Sequence, residues 1–502
     1  MARLHEYQGK AALAGHGVAV PRSGVARSAE EASAIARGLG GAVIVKIQAW
    51  TTGRAGIGGV KKALTPEEAG SHAGRMLGMR VGNFPVTEVL VEECVEIARE
   101  LFVSLTIDDA ARRPVVLLSL EGGTGIEERA SGVHRLAVHV ERGIDREGLE
   151  AALGASTIEP AMHGAVIEAI GKIVETARSI EARSLEVNPL VITGDGRVMA
   201  ADCRATVDDY AVFRHPELGI EIARELDHPP TELERIAYRI EEADHRGTFY
   251  FAQLPHEAGD PRLVGFHGAG GGGSMMSMDA VTNAGFTIAN FTDTSGNPSA
   301  AKVYAAARVI LSQPGLVGYF GSGSGVASQE QFWSAYGLAK AFNEVGLSIP
   351  AVIRLGGNSE DRAVEILNDA CRGLPGRVEG YRKDDTPAFC AERFRALVEA
   401  SGARLNGASR RVPAFVGSPG ALSLKISRGT VWIDSAGCDE ATTQLVVEKS
   451  FGLLRDEAGK PVAAVSEEEL AGKDSELISC EVECLRAGRP VVFVDMPISG
   501  LD

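Results

Sequence analysis

The sequence predicts a multidomain protein of mixed α/β and α+β class. An irregular first half of strands and helices precedes a doubly wound parallel sheet, and a smaller carboxyl-terminal extension follows. Two observations carry this. Four strand–helix units succeed one another between residues 262 and 372, with Gly-rich turns after the strands. Residues 1–225 lack that rhythm, although strand-like and helical runs are plain in them. The length agrees: 502 residues correspond to about three domains of roughly 150 residues.

In the first part, 1–225, Ser28 to Gly40 reads as a helix with Ser28 as N-cap and Glu31 closing a capping box. AVIVKIQ (42–48) reads as a strand. Thr65 opens another helix, with Pro66 at its first position. TEVLVEE (87–93), ELFVSLTID (100–108) and RPVVLLSLE (113–121) read as consecutive strands, and 164–182 has helical periodicity. SLEVNPLVITGDGRVMAAD (184–202) reads as two strands joined at Gly194-Asp195-Gly196. Residues 226–260 are poor in pattern and read as a connector. The parallel sheet is expected over 261–401. Its strand ends carry HGAGGGGS, DTSGNPS, GSGSGVAS and GGNSED, and ligands of such sheets bind at strand carboxyl ends. The extension, 402–502, offers a hairpin around Arg428-Gly429 and a strand at 490–496, with no chemical motif.

Composition narrows the function. The formal charge of −16 disfavours nucleic acid as a main partner, because phosphates are repelled on average. It leaves locally held anions open. No apolar run reaches 18 residues, so no membrane span is expected, and MARLHEYQGK does not read as a secretory leader. Seven scattered cysteines fit reduced thiols and a cytoplasmic setting. Cys480 and Cys484 read as two small apolar residues on one helix face rather than as a metal pair.

Four groups of residues carry candidate chemistry. Lys46 stands inside an apolar strand, either snorkelling at its end or held for an anion. TTGRAGIGG follows it; Gly53 lets backbone approach a phosphate and Arg54 adds charge, although an ordinary turn explains a lone Gly-rich loop as well. Glu186 and Asn188 alternate onto one strand face, with Asp202 on the partner strand. Such oxygens suit Mg²⁺, which usually takes one or two protein oxygens and completes its shell with phosphate. An exposed polar ribbon is the other reading. Glu92 and Glu100 flank a strand junction, as sugar-hydroxyl acceptors or as solvated edge carboxylates. In the second half, GSGSGVAS is expected to run into a helix capped by Ser328 with Gln331. The N–H groups there and about half a positive charge would hold an anion, and an ordinary βα turn is the alternative.

LHEYQGK, AVPRSG, VKIQ…GRAGIGGVK, VLVEE…ARELF, SLEGGTGIEE and LEVNPLVIT together resemble the β-subunit of succinyl-CoA synthetase, over about residues 1–400. The resemblance implies an ATP-grasp domain, then a flavodoxin-like domain, and an ADP-forming acid–CoA ligase. It assigns Lys46, Gly53 and Arg54 to the ATP phosphates, Glu92 and Glu100 to the adenosine end, and Asn188 and Asp202 to Mg²⁺. Glu186 would face a phosphohistidine on a partner α-subunit, which also supplies the CoA site, so a hetero-oligomer is implied. His267, Gly321, Ser322, Gly323, Ser324 and Gly325 would line the site of a small carboxylic acid. None of the eleven histidines stands in a setting that suggests the phosphoryl shuttle; His267, the one in a Gly-rich loop, matches a loop of the β-subunit instead.

The pattern departs from that family in places. Asparagine is usual where His267 stands, a short GGI loop where GSGSGVAS stands, an acidic residue where Gly356 stands, and lysine where Gly56 stands. The first three fall in the acid half, which puts succinate in question and leaves malate-type and citrate-type acids as alternatives. A nucleotide-binding regulatory protein without turnover is the remaining reading.

Overall fold

The computed structural model describes residues 1–51, 53–120, 132–244, 246–323, 325, 327–407, 423–427, 430–434, 498, 500 and 501. They fall into two compact units, Met1–Pro229 and Pro230–Asp502. Ser324, most of SLEGGTGIEE, the strand expected at 490–496, Cys438, Cys480 and Cys484 lie outside the described residues.

In chain order the first unit contains α1 (Glu6–Gly15), β1 (Ser23–Ala26), α2 (Ala29–Leu39), β2 (Val43–Ile47), β3 (Val60–Ala63) and α3 (Pro66–Met76). Then come β4 (Val89–Glu93), β5 (Ile97–Asp108), β6 (Arg113–Ser119), β7 (Val133–His139), α4 (Pro160–Ser179), β8 (Ala182–Thr193), β9 (Val198–Ala200) and β10 (Arg204–Val207). One antiparallel sheet has the order β1-β4-β2-β3. A second runs from Ala2–Arg3 through β10, β8, β5, β6 and β7.

The helix starts follow from local chemistry. Ser28 Oγ accepts from Glu31 N at 3.2 Å, and Thr65 Oγ1 accepts from Glu68 N at 3.2 Å, with Pro66 after it. The expected hairpin forms across Gly194–Gly196, with Ile192 opposite Val198.

Alternation on β2 decides what faces the site. Val43, Val45 and Ile47 are fully buried against small residues of α2 and α3, Ala32, Ala36, Ala69 and Ala73. Each such side chain contributes about 1.5–3 kcal/mol. With the odd positions fixed inward, Ile44 and Lys46 must point the other way. Across the ladder Ile44 lies opposite Glu92, and Lys46 opposite Leu90.

The second unit contains α5 (Glu232–Ala243), β11 (Tyr250–Gln253), β12 (Leu263–Ala269), α6 (Gly271–Asn283), β13 (Asn290–Asp293), α7 (Ala300–Leu311) and β14 (Gly318–Gly323). It continues with β15 (Ala327–Glu330), α8 (Phe332–Val345), β16 (Ala351–Arg354), β17 (Gly357–Asn358), α9 (Glu360–Ala370), β18 (Val378–Tyr381) and α10 (Pro387–Ser401). The main sheet has the order β11-β13-β12-β14-β16-β18, parallel except for the antiparallel β11. The five parallel strands thus run 2-1-3-4-5, the flavodoxin-like order, whose switch point lies between β12 and β14. Segments 423–427 and 430–434 pair as antiparallel strands.

Two expectations change. Residues 226–260, read as a connector, supply α5 and β11 to the second unit. α5 carries a full capping box: Thr231 Oγ1 accepts from Glu234 N at 3.2 Å, and Glu234 Oε2 accepts from Thr231 N at 2.7 Å. Its stripe of Leu233, Ile236, Ala237 and Ile240 packs on the core, a periodicity hidden by the charges between those residues. The helix expected from residue 329 starts at Phe332. Residues 327–330 instead form β15, parallel to β17, so Ser328 is no N-cap and its hydroxyl donates to Asn297 Oδ1 at 3.2 Å.

Gly337 lets α7 and α8 touch backbone to backbone. A Cβ there would stand 2.4 Å from the Ala300 carbonyl oxygen and 2.9 Å from the Tyr304 nitrogen. Gly337→Ala must force the helices apart. Urea unfolding is expected to show a loss of about 1–3 kcal/mol with an unchanged m-value; a variant as stable as the wild type would refute the close contact.

Candidate functional site

The first unit closes a cavity of about 720 Å³ lined by Lys46, Gly53, Arg54, Glu92, Glu100, Glu186, Asn188 and Asp202. Those are all the residues singled out in this half of the sequence. They arrive from six segments. Lys46 projects from β2, and Glu92 from the neighbouring β4 on the same face. Gly53 and Arg54 belong to the turn between β2 and β3. There Gly53 has φ +64, and Gly59 lies so close to Ile47 that a Cβ would meet its Cδ1 at 2.5 Å. Glu100 lies on β5, and Glu186 and Asn188 lie on β8. Asp202 was expected on a strand; it sits in the link between β9 and β10.

At the cavity wall three cations and three carboxylates form one cluster. Glu6 Oε1 lies 2.7 Å from Lys10 Nζ and 3.0 Å from Lys46 Nζ, and Glu6 Oε2 accepts from Arg54 Nη1 at 2.7 Å. Glu92 Oε2 pairs with Lys10 at 2.5 Å, and Glu92 Oε1 with Lys46. Arg54 Nη2 donates to Asp202 Oδ2 at 2.6 Å, and the Asp202 Oδ1 atom accepts from Cys203 N at 2.7 Å. Both lysines also donate to the Ala201 carbonyl oxygen at 2.8 Å.

The cluster sets its own protonation. Burial raises the Glu6 pKa, but Lys46, Lys10 and Arg54 outweigh it and hold Glu6 well below the carboxylate range. Burial lowers Lys46, and Glu6, Glu92 and Asp202 more than restore it, so its pKa rises. Asp202 goes the other way: burial and the Glu6 charge raise it against Arg54, Lys46 and Lys10. Asn188 and Asp202 line this same cavity and fit Mg²⁺ by donor chemistry, two protein oxygens on a cavity with room for phosphate.

Glu6 and Lys10 were missed by motif reasoning. Their spacing of four on a helix start was the available signal, since it places both on one face. Glu92 was read as a sugar acceptor; its two oxygens are engaged by Lys10 and Lys46.

A second cavity, of about 280 Å³, lies behind the first. Thr51, Arg54, Glu186, Cys203 and Arg204 line both. It adds Ser104, Ser184 and Thr206 from the β5, β8 and β10 face.

The residues expected to hold the acid are placed differently. His267 lies within β12 rather than in a loop. It is buried, with Nδ1 2.5 Å from the Tyr319 hydroxyl and Nε2 2.9 Å from Thr294 Oγ1. Burial pulls its pKa down to about 4, so the ring is neutral near pH 7 and offers no cationic contact. Gly321, Ser322 and Gly323 lie in β14 inside the sheet. A Cβ on Gly321 would meet Ile353 Cδ1 at 2.8 Å, and Ser322 Oγ accepts from Ser277 Oγ at 2.8 Å. β12 runs on through His267, Gly268 and Ala269, and β14 through Gly321, Ser322 and Gly323, so the strands take up residues that the sequence suggests as turns. Gly325 is the described residue of this group that leaves the sheet, packed beside Arg354 and Lys383.

Comparison with known proteins adds to this geometry. Residues 3–192 match the ATP-grasp domain family, the class that the first unit's sheets and cavity define. The chain is 35% identical over 378 residues to the succinate–CoA ligase [GDP-forming] subunit β of Thermus thermophilus, covering 72% of this chain and 93% of that protein. It is 32% identical over 412 residues to the succinate–CoA ligase [ADP-forming] subunit β of Rubrobacter xylanophilus, covering 80% and 99%. This chain belongs to the succinate–CoA ligase β-subunit family, acid–thiol ligases with an ATP-grasp domain. In fold it is similar to ATP citrate lyase from Methanothrix soehngenii, with a TM-score of 0.63 at 19% identity, covering 79% of this chain and 99% of that one. Among the described residues no helix is long and apolar enough to cross a membrane.

Two outcomes test the cluster. Lys10→Met leaves Glu6 and Glu92 short of a buried partner and is expected to cost roughly 3–5 kcal/mol in chemical unfolding of the first unit; a loss under about 1 kcal/mol would show that solvent screens it. Glu6 is charged in both states above its ordinary pKa of 4.5, where its contribution is fully present. As pH falls below that value the unfolded chain takes up a proton that the folded chain refuses, so stability declines with acid. Urea midpoints of Glu6→Gln between pH 6 and pH 3 should therefore fall less steeply than those of the wild type.

Proposed function

We propose that this chain is the nucleotide-binding subunit of an ADP-forming acid–CoA ligase, working with an α-subunit that carries the CoA site and a histidine phosphoryl carrier. The observation that carries the reading is the convergence on one cavity of Lys46, Arg54, Glu186, Asn188 and Asp202 from separate segments. Phosphoryl transfer depends on positioning and charge neutralisation more than on covalent protein chemistry, and this wall supplies both.

Lys46 and Arg54 would hold the ATP phosphates, with the backbone at Gly53 close by. Glu100, which also lines the cavity, would take a sugar hydroxyl. Asn188 and Asp202 would hold Mg²⁺, which would supply neutralisation of the phosphate charge. Glu186, shared by both cavities, would orient the carrier imidazole as it enters from the smaller one. The acid would use the β12–β14 switch point of the second unit.

A second reading concerns the acid. A Cβ on Gly356 would stand 2.8 Å from Gly325 Cα and 2.8 Å from Lys383 Cβ, so the acidic side chain usual in this family has no room there. This favours an acid other than succinate, of malate or citrate type.

The purified chain with its α-subunit should form ADP beyond one equivalent per complex only when CoA and the right member of a succinate, malate and citrate panel are present to discharge the carrier. ADP formation by the isolated chain would refute the carrier subunit. Lys46→Met should weaken ATP binding about tenfold or more, as loss of a charge-assisted hydrogen bond requires; unchanged affinity by calorimetry would refute the phosphate assignment.

A further inference from the structure

Three neighbouring strands of the first unit carry a row of polar residues. Glu186 on β8 lies directly opposite Ser104 of β5 on one side and opposite Arg204 of β10 on the other. Residues paired in this way in an antiparallel sheet share a face, with Cβ atoms about 4.5–5.5 Å apart. All three line the smaller cavity, and Glu186 and Arg204 also line the larger one. The row thus runs along the passage shared by the two cavities.

Two cations stand at that passage, Arg54 and Arg204, and they differ in kind. Arg54 is half-buried and tied to Glu6 and Asp202 by both arms of its guanidinium. Its place is fixed by the cluster. Arg204 is exposed at the first position of β10. Its side chain forms no hydrogen bond or ion pair with another of the described residues. A guanidinium with five donors, held on a rigid strand next to a carboxylate, suits an anion that moves.

We propose that Arg204 is a further catalytic residue, whose guanidinium touches the phosphoryl group while it passes from nucleotide to carrier. The proposal rests on the ligase reading above. In the step, an imine nitrogen of the carrier imidazole bonds to the γ-phosphorus. The bond from that phosphorus to the bridging oxygen of ADP breaks, and ADP leaves with the electron pair. The other ring nitrogen keeps its proton. Charge on the transferring oxygens then lies between the cavities, beyond the fixed reach of Lys46, and Arg204 meets it there. Glu186 serves the imidazole; Arg204 serves the phosphoryl group.

The test uses the complex reconstituted with the α-subunit. In Arg204→Ala, kcat for ADP formation should fall about 100-fold or more, the usual loss when one preorganised charge donor is removed. KM for ATP should stay within about threefold, because ground-state phosphate contacts remain. Added guanidinium should restore part of the lost kcat, and Arg204→Lys should retain more activity than Arg204→Ala. A merely structural role would not give that rescue. If kcat of Arg204→Ala stays within about threefold of the wild type, or if the whole loss lies in KM, the proposal is overturned. Calorimetry separates the two levels of inference. Wild-type chain that fails to bind ATP would overturn the ligase reading and the proposal together, whereas intact ATP binding with an unaffected kcat would overturn Arg204 alone.

Discussion

The first unit depends on a buried charge balance. Glu6, Glu92 and Asp202 face Lys10, Lys46 and Arg54 within one hydrogen-bonded cluster. Each member would be costly alone in that place, and the set persists because each charge is compensated. Stability and ligand handling share these contacts. A wall built from matched charges remains polar enough to receive a nucleotide and rigid enough to position it, since Lys46 and Arg54 are each held by two carboxylates.

The second unit solves a different problem with different means. Its strands are buried on both faces, and glycines let them and their helices approach closely. Gly321 admits Ile353, Gly337 admits the backbone of α7, and Gly356 admits Gly325 and Lys383. Some of the glycines that look from sequence like anion cradles, Gly268, Gly321 and Gly356 among them, are packing devices. At HGAGGGGS and GSGSGVAS the strands end three residues into the Gly-rich text, at Ala269 and Gly323.

Much of this was legible in the residues. Alternation along VIVKI fixed the direction of Lys46, and the spacing of Glu186 and Asn188 put them on the cavity. The βα rhythm gave the parallel sheet. Three things were not legible. Glu6 and Lys10 act across the fold, and nothing local to HEYQGK says that their partners are residues 46, 92 and 54. The stripe of α5 was masked by six charged residues within twelve, ELERIAYRIEEA. His267 was misjudged because a histidine beside glycines reads as a loop residue, whereas two buried hydroxyls, Tyr319 and Thr294, make it a comfortable interior one. Those hydroxyls come from β14 and from the residue just after β13, and leave no trace near residue 267.

The cluster also spans the chain in time. It joins the first helix to the link at residues 201–202, so a nascent polypeptide presents Glu6, Lys10, Lys46, Arg54 and Glu92 before Asp202 and the Ala201 carbonyl have left the ribosome. Until that link emerges, the cluster lacks the last of its three carboxylates and Arg54 lacks one of its two. The nucleotide chamber is therefore complete only late in synthesis of its own domain. Shortening the amino terminus by as few as ten residues would remove one third of the six charges, and the loss would be felt two hundred residues away.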